Sequence, residues 1–241
     1  LAGTAAPVAP AASPKALIVP HAGYVYSGPI AAGAYARLAS LRSTIRRVVI
    51  LGPTHRVAVR GLALPSARAF ATPLGEVEVD RVAVATLAGL RQVVVSDSAH
   101  ALEHSLEVQL PFLQSVLDDF RIVPLAVGDA SPGEVAEVLD RLWGGPETLV
   151  VVSSDLSHFH GYAQAREIDR ASADRILALD GPLDHEEACG ATPINGLLLC
   201  ARRRGLAPEL IDLRNSGDTA GDRSRVVGYA SFAFAGERAH G

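Results

Sequence analysis

The stretch Thr148-Leu149-Val150-Val151-Val152-Ser153-Ser154-Asp155-Leu156-Ser157-His158 decides the fold. Its first half is a β-branched apolar run too short for a helix, and it has no polar face. A strand covered by helices on both sides reads in this way. Its second half turns abruptly polar and ends on a histidine. Two other segments repeat the pattern: Ala16–Pro20 runs into His21-Ala22-Gly23-Tyr24, and Arg47–Leu51 runs into Gly52-Pro53-Thr54-His55. Further strands are predicted at Gln92–Val95 and Arg121–Val127. Helices are predicted at Ile30–Ala39, Arg81–Ala88, around His104–Leu117, and at Pro132–Trp143, Ala163–Leu179 and Pro193–Arg204. Strands alternating with helices predict a single α/β domain with a mostly parallel, helix-covered central sheet.

Leu106, Leu110, Leu113 and Leu117 share one helical face, and Pro111 within that stripe predicts a kink or a fresh start. The segments Leu210–Leu213 and Val226–Phe234 are expected to be extended and to close one side of the sheet. The domain is assigned to residues 15–236, preceded by an Ala/Pro-rich lead-in over residues 1–14.

Composition narrows the function classes. The 241 residues are 49% hydrophobic and 20% charged, which is ordinary for a globular chain and excludes a disordered or disulfide-built one. With 22 Lys+Arg against 26 Asp+Glu, and no basic run beyond Arg202, Arg203 and Arg204, no nucleic-acid footprint is present. No apolar stretch is long enough to span a membrane. The absence of a signal-like start, with only two cysteines, predicts the cytoplasm. A chain that starts at Leu1 and contains no methionine is expected to lack some N-terminal residues.

In an open parallel sheet, loops that follow the strands gather at one edge, where ligands bind. His21, His55, Asp155 and His158 are therefore expected to meet. Imidazole is a common ligand for Fe, Cu and Zn, and Asp155 could orient a histidine, bind metal or act as a base. The alternative is that Asp155 caps a following helix and His158 packs against it. Cys189, in the turn Ala188-Cys189-Gly190-Ala191-Thr192-Pro193 before a helix, is expected to have a lowered pKa and to ligate or attack. Cys200 reads as core. His100 and His104 stand one helical turn apart, while Tyr24, Glu103 and His104 are expected to line the pocket or support the ligands.

Taken in order, these pieces resemble the Memo-like family, most closely its AmmeMemoRadiSam system protein B branch. The matching residues are Pro20-His21-Ala22-Gly23-Tyr24 with Ser27-Gly28; Leu51-Gly52-Pro53-Thr54-His55; Glu103-His104-Ser105-Leu106-Glu107 with Leu110-Pro111; Ser153-Ser154-Asp155 with His158; Ala188-Cys189-Gly190 with Pro193-Ile194; and Val226-Val227-Gly228-Tyr229-Ala230. The resemblance implies a fold similar to class III extradiol dioxygenases, which use non-haem Fe(II). It implies metal ligation by His21, His55 and Cys189, and pocket roles for Asp155 and His158. A cysteine where those dioxygenases carry a carboxylate is a softer donor, so copper or zinc stand beside Fe(II).

Two function classes follow. One is a metal-dependent oxidoreductase in which Asp155 orients His158 as acid/base. The other is an accessory module with a small-molecule or peptide ligand, working with radical-SAM and AMMECR-type partner proteins that the branch name implies. A third and weaker reading is hydrolysis by Cys189 or Ser154 as nucleophile with His158 as base.

Overall fold

A computed structural model describes residues 13–236, so residues 1–12 of the lead-in lie outside the described part. Among the described residues eleven strands occur: β1 Ala16–Val19, β2 Arg47–Pro53, β3 Leu62–Leu64, β4 Ala69–Thr72, β5 Gly75–Glu78, β6 Val93–Val95, β7 Arg121–Val127, β8 Thr148–Ser153, β9 His158–His160, β10 Leu206–Asn215 and β11 Val226–Gly236. The helices are α1 Tyr24–Ala36, α2 Arg81–Ala85, α3 Ser98–Ala101, α4 Leu110–Val116, α5 Pro132–Leu142, α6 Tyr162–Leu177, α7 Ala191–Arg204 and α8 Ser216–Thr219. The main sheet runs β10-β11-β1-β8-β2-β7-β3-β6, with β9 pairing to β11 and β4–β5 forming a separate hairpin. The centre is parallel, through β1–β8, β8–β2 and β2–β7, whereas β11 joins β1 and β10 antiparallel and closes that side. The chain is a single α/β domain with a mostly parallel, helix-flanked sheet.

The apolar runs explain this centre. Side chains alternate across a strand, and the alternation divides the core in two. Ile18, Val49, Leu51, Val150 and Val152 pack on one side with residues of α5 and α7. Leu17, Val19, Val48, Ile50 and Val151 pack on the other with residues of α1 and α4. Both faces being covered, every position in β8 is buried.

Local signals place the covering helices. Ser131 and Glu134 form a reciprocal capping box that spans Pro132, the first residue of α5. Gly205 ends α7 in a left-handed conformation (φ 62°). The predicted helix over His104–Leu117 is divided: a 3₁₀ turn at Glu107–Gln109 precedes α4, which restarts beside Pro111, and all four stripe leucines are buried. The helix predicted at Ile30–Ala39 instead begins at Tyr24. Ser27, Gly28 and Pro29 look like helix breakers but lie inside α1. No helix among the described residues is long and apolar enough to cross a membrane.

Candidate metal centre

β1, β8 and β2 lie side by side and end level with one another, Val19 opposite Ser153 and Leu51 opposite Val152. The loops after them therefore emerge at one edge. His21 follows β1, Asp155 follows β8 and His55 follows β2, while Cys189 is brought in by the turn before α7. One ligand atom from each of His21, His55 and Cys189 lies within 4.8 Å of the others. His104 joins them: its ring stacks on His55 at 5.0 Å and meets His21 edge-on at 5.5 Å.

His21 is buried. Its Nδ1 is 2.9 Å from Ser153 Oγ, and its Nε2 is 3.4 Å from Cys189 Sγ. Burial, reinforced by the neighbouring His55 and His104, pushes its pKa down to about 3, so the ring is neutral at ordinary pH. His55 is half-exposed and hydrogen-bonds through Nδ1 to Glu103 Oε1 at 2.8 Å, while its backbone N–H donates to Glu103 Oε2 at 2.6 Å. Glu103 also accepts the backbone N–H groups of His104 and Ser105. These bonds, led by that with the His55 side chain, outweigh burial and hold its pKa down at about 2.

A second cluster, His55, Glu103 and His104, has metal-ligand character by residue type. Its carboxylate already accepts four donors, which leaves little capacity for an ion. The His21–His55–Cys189 set is different. With metal–nitrogen and metal–sulfur bonds near ~2.1 and ~2.3 Å, a tetrahedral ion would separate nitrogen from sulfur by roughly 3.6 Å. The observed 3.4 Å from His21 Nε2 to Cys189 Sγ fits that edge. The donor chemistry, two imidazoles and a thiol, suits a soft or borderline transition metal.

Three expectations need correction. Asp155 does not orient His158; its Oδ1 accepts the backbone N–H groups of His21 at 2.8 Å and Ala22 at 3.3 Å, which fixes the loop after β1. Nor does it cap a helix, since the chain continues into β9 and Gly161 is the cap of α6. Burial raises the Asp155 pKa against the pull of those N–H donors. Cys189 is not acidified by its place before α7. Burial and the Asp155 charge push the thiol up to about 12, beyond what a helix terminus offsets. Ser154 is no nucleophile in waiting, because its hydroxyl donates to the Asp155 carbonyl and accepts the Gly190 N–H.

The remaining residues sit around this group. Tyr24 opens α1, half-exposed, with its hydroxyl donating to the Val108 carbonyl and its ring edge-on to Phe112. His158 is half-buried on β9, near enough to Asp155 and His21 to act on their charges. Cys200 is buried in α7 with its thiol against the Ala136 carbonyl. Gly190 is tight: a Cβ there would lie 2.6 Å from Ser154 Cβ, so only glycine lets the Cys189 turn press on the end of β8. The residues that the sequence pattern does not single out are Gln109 and Tyr35, both fully buried and hydrogen-bonded toward His21 through Ser153. A signal exists for Gln109, a polar residue three after Leu106 on an otherwise apolar helical face.

Comparison with known proteins identifies the family. The family model described as Memo-like protein matches residues 3–233. A MEMO1 family protein of Sulfolobus acidocaldarius is 36% identical over 239 residues, spanning 93% of this chain and 84% of that protein. One from Methanopyrus kandleri is 40% identical, spanning 90% and 82%. Among solved structures, an uncharacterized protein of Escherichia coli K12 has a TM-score of 0.59 at 15% identity, over 90% of this chain and 98% of that one, a likeness of fold alone. The chain belongs to the Memo-like family.

Proposed function

We infer that the chain is a mononuclear metal-site protein in which His21, His55 and Cys189 hold one ion, Fe(II) foremost with copper or zinc as substitutes, and that it acts as an oxidoreductase. The observation that carries the reading is the convergence of two imidazoles and a thiol within 4.8 Å at the strand-end edge. A bound ion with an open position supplies Lewis-acid or redox chemistry to a substrate.

The chain's own residues prepare that site. Glu103 accepts the hydrogen bond of His55 Nδ1–H, which makes Nε2 the nitrogen that would bind the ion. Asp155 fixes the backbone of His21 and Ala22. Cys189 gives up its thiol proton on ligation, since thiolate is the binding form. His158, at the side of the pocket, is the proton carrier for substrate, and the half-exposed His104 shares the mouth with it. The test is anaerobic titration with Fe(II), Cu(I) and Zn(II), followed by oxygen uptake with small aromatic diols. Metal-dependent uptake supports the oxidoreductase reading. Absence of any uptake with a loaded site removes it and leaves metal binding alone.

A specific observation favours a second reading. Phe159 exposes its ring beside His158 on a left-handed backbone (φ 64°), and Tyr24, Val25 and Tyr26 are exposed just past His21. Placing an aromatic outward on strained backbone costs about 1–3 kcal/mol, an arrangement that suits contact with a partner. An accessory role beside a radical-SAM protein is the form it takes. Co-purification that depends on Phe159 would favour it over independent turnover.

A further inference from the structure

The buried hydroxyl of Ser153 makes three contacts, and only one proton arrangement satisfies them. Its oxygen is 2.5 Å from the Ser105 carbonyl, 2.8 Å from Gln109 Nε2 and 2.9 Å from His21 Nδ1. A carbonyl can only accept, so the hydroxyl proton goes to Ser105. The Gln109 amide is itself fixed. Its Nε2 lies 3.0 Å from the Pro20 carbonyl, which again can only accept, and its Oε1 takes the Tyr35 hydroxyl proton at 2.9 Å. Gln109 therefore donates to Ser153. A serine hydroxyl has one proton and two lone pairs, and the second lone pair is left for His21, whose Nδ1 must carry hydrogen.

We propose that Ser153, held by Gln109 and the Ser105 carbonyl, is a positioning residue that locks His21 as the Nδ1–H tautomer and turns its Nε2 lone pair toward Cys189, where it would serve to hold an ion. Free imidazole side chains favour the opposite tautomer, which would place a proton where the ligand bond must form. Donors and acceptors in this network are all paired, and its members are fully buried, so a misplaced proton leaves a desolvated polar group without a partner. The network joins β1, the turn before α4, β8 and α1, so the tautomer is set by packing of the whole edge. The purpose of the lock rests on the metal-centre reading, but the lock itself does not.

The experiment is two-bond ¹H–¹⁵N correlation of the histidine rings in ¹⁵N-labelled, metal-free protein at pH 7.5, with His21 assigned by its loss in His21→Gln. Nδ1–H should dominate by about tenfold or more, the ratio a single hydrogen bond sustains. In Ser153→Ala the ratio should fall about tenfold toward Nε2–H, and Ser153→Thr, which keeps the hydroxyl, should restore it. Affinity for Zn(II) should fall roughly 10–100-fold in Ser153→Ala and recover in Ser153→Thr. If Ser153→Ala does not fold, Gln109→Leu should move the ratio in the same direction by a smaller factor. Nε2–H as the major form in the unmutated protein overturns the proposal, as does an unchanged ratio in folded Ser153→Ala. The locked tautomer in a protein that binds no metal would sustain the lock and remove the metal-centre reading, so the two fail separately.

Discussion

The two histidines of the site are held by opposite means. His21 is buried and leans on a neutral hydroxyl within an amide and carbonyl network. His55 is half-exposed and leans on a carboxylate. A charged partner beside His21 would add a second buried anion to that of Asp155, with a desolvation cost of several kcal/mol. The Glu103 carboxylate, itself nearly buried beside His55, is tolerated because four N–H donors face it. Neutral support thus belongs to the fully buried histidine and ionic support to the half-exposed one.

The largest expected effect strikes both sides. His21→Ala, His55→Ala or Cys189→Ala each removes a proposed ligand and should lower metal affinity by more than about 100-fold, the upper range for losing only a supporting partner. Equilibrium dialysis with Zn(II) reads it.

The supporting partners should then separate the two sides. Glu103→Gln should weaken metal binding roughly 10–100-fold, and it should also alter acid stability. The Glu103 pKa falls on folding from the usual 4.5 to about 2, so its contribution is whole above about 4.5 and is lost as pH drops toward 2. Urea melts from pH 6 to pH 2 should lose that pH-dependent component in Glu103→Gln and keep it in Ser153→Ala. Equal acid profiles for the two variants would erase the contrast between ionic and neutral support.

Binding itself should release the proton of the Cys189 thiol. The Cys189 thiol, up at about 12, is protonated in the metal-free protein, whereas His21, down at about 3, has no proton to lose. Apparent affinity should therefore rise by at least about tenfold per pH unit between pH 6 and 8, with one proton or more released per ion by calorimetry in buffers of differing ionisation enthalpy, and release of none would contradict thiolate ligation. Release near two would show that an imidazole is also protonated beforehand.

A smaller effect falls on the loop that carries His158. Asp169 accepts the Ser157 N–H, and a Cβ on Gly228 would lie 2.1 Å from its Oδ2. Gly228→Ala should destabilise by about 1–3 kcal/mol through overpacking, measured by thermal melts. Cys200→Ala should do least, costing about 1 kcal/mol or less and leaving metal binding unchanged, which separates the two thiols of the chain.

Much of this architecture is legible in the residues. Continuous apolar runs mark β1, β2, β7 and β8, and the rule that strand-end loops share an edge is enough to bring His21 and His55 together. Elements of three or four half-exposed residues, such as β4, β5 and β9, leave no comparable periodicity. The first turns of α1 are hidden by Ser27-Gly28-Pro29, where packing on the sheet overrides local propensity. The expectation for Cys189 fails because a helix-terminus argument is local, while the burial and the Asp155 charge that govern the thiol come from distant segments. The Ser153 network is hidden for the same reason: its members are spread from Pro20 to Ser153 and meet only in the folded edge.

The central claim is that two imidazoles and one thiol form a single metal centre. Its most direct test is the metal content of protein purified anaerobically without a chelating tag, in the unmutated chain, His55→Ala and Cys189→Ala side by side. About one ion per chain, lost in both variants, is the predicted result. No ion in the unmutated chain even after anaerobic addition of Fe(II) or Cu(I), or equal retention in both variants, would contradict it.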